Sequence, residues 1–237
     1  MYNRNSIRKY FIPVLLVAVS IASACAGNRT TGAHDIPDGF LSIREYIPSA
    51  QLDIRYYTSH NFVGVRIDGY DAPGCILSNE AATALKNVQE ELLHKQQSLK
   101  IFDCYRPQQA VDHFVRWAKD LDDLKMKPEF YPFVDKKYLF RDGYIAAKSG
   151  HSRGSTLDLT VIDMKSNREL DMGTPFDFFD PLSHTINDQI TAEQQQNRIT
   201  LKTVMEKHGF KNLAEEWWHY TLENEPYPDR YFNFRVR

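Results

Sequence analysis

The stretch Ser149-Gly150-His151-Ser152-Arg153-Gly154-Ser155-Thr156-Leu157-Asp158 leads from a loop with two glycines into a strand. From Thr156 onward polar and apolar residues alternate: Thr156, Asp158 and Thr160 against Leu157, Leu159 and Val161. This period of two predicts a half-buried strand with Asp158 on its polar face. His151 precedes Asp158 by seven residues, an odd number that would put it on the opposite face of an unbroken strand. Gly150 and Gly154 allow a bend that brings it back.

A second stretch, Glu216-Trp217-Trp218-His219, completes a set of side chains that suits a metal ion. A catalytic zinc ion takes three protein ligands and leaves its fourth position to water. His151, Asp158 and His219 would fill that quota, which predicts one zinc ion per chain. Glu216 is then left over, and a carboxylate beside such a metal is where a hydrolase needs its general base.

These two stretches and two more resemble one known family. The further segments are Asp103-Cys104-Tyr105-Arg106-Pro107 and Met172-Gly173-Thr174-Pro175-Phe176-Asp177. Four motifs in this order resemble the VanX-type D-alanyl-D-alanine dipeptidases, which are zinc enzymes related to the DD-carboxypeptidases and to the hedgehog signalling domain. The similarity runs from about Phe40 to the C-terminus.

The resemblance implies roles for two catalytic side chains. Arg106 would point at the metal and stabilise the oxyanion of a tetrahedral intermediate, a task that suits a guanidinium because it stays charged. Glu215 and Glu216 are adjacent, and the sequence pattern alone does not choose between them. We take Glu216 because the family motif is Glu-Trp-Trp-His.

The resemblance also implies two residues that bind substrate. Asp177 would hold the free amino group of a small D,D-dipeptide, and a fixed carboxylate there would favour a dipeptidase over an endopeptidase. Asp180 is its nearest rival on sequence. Ser149 matches the family's serine that helps to bind the substrate. His184 is held in reserve as a residue that orients a ligand or substrate group.

The fold implied is α+β, a central antiparallel sheet flanked by helices in a single domain. Local patterns predict strands over Leu52–Tyr57 and Leu99–Tyr105. They predict helices that begin near Ser78 or Asn79, at Pro107 and after Thr191, the last one with a Thr191–Gln194 capping box and an end at Gly209. Residues 119–143 read as a surface excursion that could border the mouth of the site.

Composition and the N-terminus bound the function. The 237 residues are 42% hydrophobic with a net charge of −2. The sequence has no basic patch interleaved with aromatic residues, so we do not expect nucleic acid as a partner. Residues 1–25 read as an export signal, and Cys25 could instead be an acylated lipoprotein cysteine that anchors the chain to a membrane. Residues 26–38 resemble a tether and residues 39–237 the enzyme domain. The predicted location is the periplasm or the membrane surface.

Two cysteines remain in the body of the chain, Cys75 and Cys104. In an exported protein they could form a disulfide or stay as two buried thiols, and the sequence leaves both open.

Three functions fit these residues. The first is a zinc-dependent D-Ala-D-Ala dipeptidase of the cell envelope. The second is a DD-carboxypeptidase that trims peptidoglycan, which the match at Asp177 disfavours. The third is a non-catalytic, zinc-stabilised binding module, which needs neither Glu216 nor Arg106.

Overall fold

The computed structural model describes Met1 and residues 36–237. The predicted export signal, the predicted lipid site at Cys25 and most of the predicted tether therefore lie outside the described residues. Within residues 36–237, no helix combines the length and the hydropathy needed to cross a bilayer. The helices of this part are α1 (Ile43–Tyr46), α2 (Asn79–His94), α3 (Gln108–Lys119), α4 (Lys127–Phe130) and α5 (Ala192–Lys207).

The strands form a short pair and one larger mixed sheet. The pair is antiparallel and consists of β1 (Phe40–Ser42) and β3 (Ile76–Ser78). The larger sheet has the spatial order β2 (Gln51–Leu52), β4 (Gln97–Asp103), β5 (Thr156–Asp163), β8 (His219–Leu222) and β7 (Phe210–Asn212), with β6 (Arg168–Glu169) paired to β5. Only β2 and β4 run parallel among these pairs. The predicted α+β class is confirmed, and the sheet is antiparallel except for that pair.

The predicted helix boundaries agree with the structure. Ser78 caps α2 by accepting a hydrogen bond from the Ala81 amide at 3.3 Å. Thr191 and Gln194 form the predicted capping box of α5, and Gly209 follows that helix with a φ of +86°. Helix α3 begins one residue later than predicted, at Gln108, because Pro107 occupies the cap position instead of the first turn.

The strand predicted over Leu52–Tyr57 is wrong beyond its first residue. After β2 the chain forms a 3₁₀ turn over Arg55–Tyr57. The alternation of apolar residues is still satisfied, because Ile54 and Tyr56 are both buried. Tyr56 packs its ring against Phe62 and Phe114, which a continued edge strand would not allow.

The β5 strand is fully buried where the alternation predicted a half-buried one. All its residues from Thr156 to Ile162 are inaccessible, including Asp158 and Thr160. The strand lies between β4 and β8, and both of its faces are covered. Buried polar side chains can meet there, as in the 2.9 Å contact between the hydroxyls of Thr156 and Thr221. The alternation of polar and apolar residues alone could not distinguish a strand face exposed to solvent from one that lines a buried site.

A disulfide joins Cys75 and Cys104, which resolves the alternative left open by the sequence. Cys75 immediately precedes β3, and Cys104 immediately follows β4. The bond therefore ties the short β1–β3 pair to the end of a central strand of the larger sheet.

Candidate active site

Three polar residues lie side by side across the middle of the larger sheet. Asp158 on β5 is paired with Asp103 on β4 and with His219 on β8. Directly opposite residues on neighbouring strands project from the same face of a sheet. The strand register thus places two carboxylates and an imidazole in one row, of which Asp158 and His219 line a cavity.

His151 reaches this row from the loop before β5, as the glycine spacing predicted. A 3₁₀ turn over Gly150–Arg153 reverses the chain, and Gly154 ends the turn with a φ of +84°. A side chain at Gly154 would collide with the Phe40 ring, since a Cβ there would lie 2.3 Å from that ring. His151 donates from Nδ1 to the Cys104 carbonyl oxygen at 2.7 Å. The other ring nitrogen, Nε2, therefore carries a lone pair, and it lies 3.3 Å from Oδ2 of Asp158.

The geometry of His151, Asp158 and His219 fits a bound cation. Nε2 of His151 lies 3.3 Å from Nδ1 of His219, and this Nδ1 lies 3.1 Å from Oδ1 of Asp158. Ligands held at about 2.0–2.1 Å by a tetrahedral ion lie roughly 3.3 Å from one another. No hydrogen-bond donor from the described residues 36–237 satisfies the buried Oδ1 atom of Asp158, so this oxygen is available as a ligand atom.

The electrostatics of these side chains also suit a cation. Burial lowers the pKa of His151, which keeps the imidazole neutral and able to ligate. Burial opposes the charged forms of Asp158 and His219 as well, but their contacts outweigh it. The pKa of Asp158 is lowered by His151 first and by His219 second, and the pKa of His219 is raised mainly by Asp158. A positive charge is therefore favourable between the Asp158 carboxylate and the His219 ring. A metal ion would supply that charge.

Glu216 and Glu215 separate clearly in the structure. Glu215 is exposed, whereas Glu216 lines the cavity with its Oε2 3.4 Å from Nδ1 of His219. Burial is the largest influence on Glu216 and raises its pKa. A carboxylate with a raised pKa beside the ligand atoms has the position and basicity for proton transfer.

Arg106 lies between β4 and α3 and is held by several contacts. Its Nε donates to Oδ2 of Asp103 at 2.9 Å, and its guanidinium lies between two rings, 4.8 Å from the Tyr56 centroid and 5.2 Å from that of Phe114. One terminal nitrogen, Nη2, is 3.5 Å from Oδ2 of Asp158. Burial opposes the charged form, but Tyr56 and then Asp103 outweigh it and raise the pKa of Arg106, so the guanidinium is positively charged.

Asp177 lines the cavity, and Asp180 does not. Tyr56 donates its hydroxyl to Oδ2 of Asp177 at 2.9 Å. Burial, reinforced by Asp158, raises the pKa of Asp177 well above its usual value. Asp177 also has a φ of +60°, an uncommon conformation for a residue other than glycine. Asp180 instead accepts a hydrogen bond from the Leu182 amide at 2.8 Å and begins a 3₁₀ turn.

All seven predicted site residues line a single cavity of about 240 Å³: Arg106, Ser149, His151, Asp158, Asp177, Glu216 and His219. Ser149 also accepts a hydrogen bond from the His151 amide at 3.3 Å. The end of the predicted surface excursion reaches the cavity as well, through Gly143 and the neighbouring Tyr144.

Comparison with known proteins agrees with this geometry. A model of the family described as D-Ala-D-Ala dipeptidase, a peptidase family, matches residues 37–237. The chain belongs to the D-Ala-D-Ala dipeptidase family. It is 41% identical over 199 residues to the D-alanyl-D-alanine dipeptidase of Enterococcus faecalis, covering 84% of this chain and 98% of that protein. The enzymes of the same name from Streptomyces coelicolor and Escherichia coli are 38% and 34% identical. Those alignments cover 83% and 74% of this chain, and 98% and 80% of the relatives.

Two residues of this family member were missed in the sequence, Asp103 and Tyr56. Asp103 joins the site's side chains, because it accepts from Arg106 and from the Tyr70 hydroxyl and lies 3.5 Å from Nδ1 of His151. Its place in the Asp103–Pro107 motif was the available signal, although the sequence analysis gave it no role. The alternation of Leu52, Ile54 and Tyr56 indicated that Tyr56 is buried, but nothing in the sequence indicated its contact with Asp177.

His184, held in reserve, stands apart from the site. Its backbone carbonyl accepts from Arg198, and its ring is not among the side chains that line the cavity. The partner that orients His151 is the Cys104 carbonyl instead.

Proposed function

We propose that this protein hydrolyses D-Ala-D-Ala to two molecules of D-Ala, with zinc held by His151, Asp158 and His219 and with Glu216 as general base. The observation that carries the proposal is that these four side chains share one cavity with Asp177. The activity named for the relatives supports the substrate.

The proposed proton transfers belong to Glu216. Bound by the three ligands, zinc would supply Lewis acidity toward a water molecule and toward the peptide carbonyl. Glu216 takes a proton from the attacking water and returns it to the nitrogen of the leaving D-Ala. Its raised pKa suits a carboxylate that must both accept and release a proton.

Arg106 is proposed to stabilise negative charge. Its Nε is engaged by Asp103, which leaves the rest of the guanidinium facing the cavity. There it binds the carbonyl oxygen of the scissile bond as that oxygen becomes negative. A charged donor that is already fixed before the reaction stabilises the transition state without reorganising.

Asp177 is proposed to select a free amino group, and Ser149 to help bind the substrate. A dipeptide carries an ammonium group close to its scissile bond. That ammonium would offset the burial that raises the pKa of Asp177, and so restore the charged carboxylate. A substrate with a blocked amino group would leave the buried Asp177 without a cationic partner, which disfavours that substrate.

The proposed place of action is the cell envelope, in the periplasm or at a membrane through a lipid on Cys25. The basic and apolar pattern of residues 1–25 supports export, and the Cys75–Cys104 bond is of a kind that persists in oxidising compartments. Intact-protein mass spectrometry tests the anchor. An unmodified Cys25, or a chain that starts after it, would refute the lipid.

The decisive experiment compares D-Ala-D-Ala with N-acetyl-D-Ala-D-Ala on the zinc-loaded protein, with chelator-treated protein and Glu216→Ala as controls. Cleavage of the free dipeptide only, lost in both controls, is the expected result. Cleavage of the acetylated form would favour the DD-carboxypeptidase. Zinc binding without cleavage of either would favour the binding module.

A further inference from the structure

Arg198 on α5 is a fully buried cation outside the cavity. Within residues 36–237 no carboxylate lies within ion-pair distance of it. Its guanidinium donates instead to three backbone carbonyls: Met172 at 2.6 Å, Leu182 at 2.9 Å and His184 at 2.6 Å. Burying a charge is unfavourable unless hydrogen bonds replace its hydration, so these contacts are what allow Arg198 to stay there.

The three carbonyls lie at the two ends of one irregular segment. Residues 172–184, termed the Asp177 loop, precede α5 in the chain and contact its Arg198 through the carbonyls of Met172 at one end and of Leu182 and His184 at the other. Asp177 lies near the middle of this loop in its left-handed conformation, which costs free energy that other contacts must offset. Arg198 thus holds both ends of the segment that carries the proposed amine-binding carboxylate.

A second contact links the same loop to the catalytic segment. The Thr174 hydroxyl accepts from Nε1 of Trp217 at 2.9 Å and lies 3.5 Å from Nη2 of Arg198. Trp217 directly follows Glu216 in the chain. The buried set Arg198, Thr174 and Trp217 therefore connects the loop that carries Asp177 to the residue next to the proposed general base.

We propose that Arg198 is a positioning residue for substrate selection, acting through the Asp177 loop to set the distance between Asp177 and the scissile bond. The inference rests on the proposed dipeptidase function. Under this proposal, the preference for a free amino group depends on Arg198, which lies outside the cavity that would hold the substrate and the metal. Small displacements of a positioning group suffice for a large effect, since a shift of about 1 Å can cost on the order of a hundredfold in rate.

The test measures amine preference, defined as kcat/KM for D-Ala-D-Ala divided by kcat/KM for N-propionyl-D-alanine, which lacks only the amino group. Arg198→Lys keeps the charge but cannot reach both ends of the loop. We expect amine preference to fall about tenfold, mainly through KM for the free dipeptide, with zinc affinity unchanged. Thr174→Val removes the hydroxyl that contacts Trp217 and Arg198. Its amine preference tests the proposal independently if Arg198→Lys folds poorly.

Gln89→Met is the matched control for loss of a buried polar network. Gln89 is buried on α2, where it donates to Ser98 at 2.8 Å and accepts from the Leu99 amide at 2.9 Å. We expect this variant to lower the melting temperature and leave amine preference intact. An equal loss of preference in Gln89→Met would show that Arg198 acts only through general stability.

Combination with Asp177→Asn decides the mechanism. If Arg198 acts through Asp177, Arg198→Lys should have little further effect on amine preference in the Asp177→Asn background. Independent, multiplying effects would overturn the proposal, as would full preference in both Arg198→Lys and Thr174→Val. These outcomes differ from failure of the function itself, in which the wild-type protein would not cleave D-Ala-D-Ala and both proposals would fall.

Discussion

The two sides of the cavity are built on different kinds of backbone. The metal wall, comprising His151, Asp158 and His219, stands largely on the sheet, where Asp158 and His219 are directly paired on β5 and β8. The amine wall, comprising Tyr56 and Asp177, stands on a 3₁₀ turn and on a loop residue in a left-handed conformation. Strand pairing fixes the first wall, whereas side-chain hydrogen bonds from distant parts of the chain fix the second.

This difference suggests a division of labour. Ligands and a general base need fixed mutual positions, which a hydrogen-bonded register provides. Selection of a substrate end group needs a surface that can vary while the chemistry stays intact, and loops provide that. We therefore expect changes in the metal wall or its neighbour Glu216 to abolish turnover, and changes in the amine wall to alter selectivity.

The largest effect is expected from Glu216→Gln, which keeps size and polarity but removes the base. kcat should fall by about a thousandfold, within the usual range for a general base. Zinc affinity, measured by competition with a chromogenic chelator, should stay close to that of the wild type. Glu215→Gln is the matched control, since its side chain is exposed, and it should retain activity. Substantial turnover in Glu216→Gln would exclude the assignment.

The next effect concerns the disulfide, which supports the metal wall through the Cys104 carbonyl bound to His151. A cross-link that closes a loop of 29 residues contributes about 3–4 kcal/mol to the free energy of unfolding. Denaturant unfolding of the metal-free protein with and without reductant should show this loss. The Cys75→Ala/Cys104→Ala variant should be indifferent to reductant. If reductant left the wild-type midpoint unchanged, the bond would contribute no stability.

A smaller and more selective effect is expected from Asp177→Asn. Loss of the carboxylate should reduce amine preference on the order of a hundredfold, because the substrate ammonium would be buried without its counter-charge. kcat/KM for N-propionyl-D-alanine should change little. Steady-state kinetics with both substrates test this, with Asp180→Asn as the neighbouring control. An equal loss for both substrates would mean that Asp177 serves the chemistry.

The metal wall could be predicted from sequence and the amine wall only in part. His151, Asp158 and His219 occur in short motifs, and the bracketing glycines correctly indicated the bend that unites them. The same local reasoning assigned too long a strand to Leu52–Tyr57, where the chain forms a 3₁₀ turn and Tyr56 packs against Phe62 and the more distant Phe114.

Residues that act through long-range contacts were those that local patterns could not find. Asp103 stood in a family motif without an assigned role, and the alternation that buried Tyr56 did not reveal its contact with Asp177. The burial of both faces of β5 was also invisible, because a polar strand face looks the same whether it meets water or an active site. Resemblance to a family supplied Asp177, which no periodicity distinguished from Asp180.

The smallest effect tests whether the amine wall depends on such a contact. Tyr56→Phe removes the hydroxyl that donates to Asp177 at 2.9 Å and leaves the ring beside Arg106. A hydrogen bond to a charged group contributes about 1.5–3 kcal/mol, and the substrate ammonium would offset part of that loss. We therefore expect KM for D-Ala-D-Ala to rise by about tenfold at nearly constant kcat.

Tyr57→Phe is the control for this change, because Tyr57 is only partly buried and packs at the edge of the core. It should behave as the wild type in the same kinetic assay. A fall in kcat at constant KM in Tyr56→Phe would place Tyr56 with Arg106 and the chemistry, since the two share a contact at 3.5 Å. Tyr56 would then contribute to the chemistry as well as to the amine wall. Of the two residues of the amine wall, only Asp177 would act on selectivity alone.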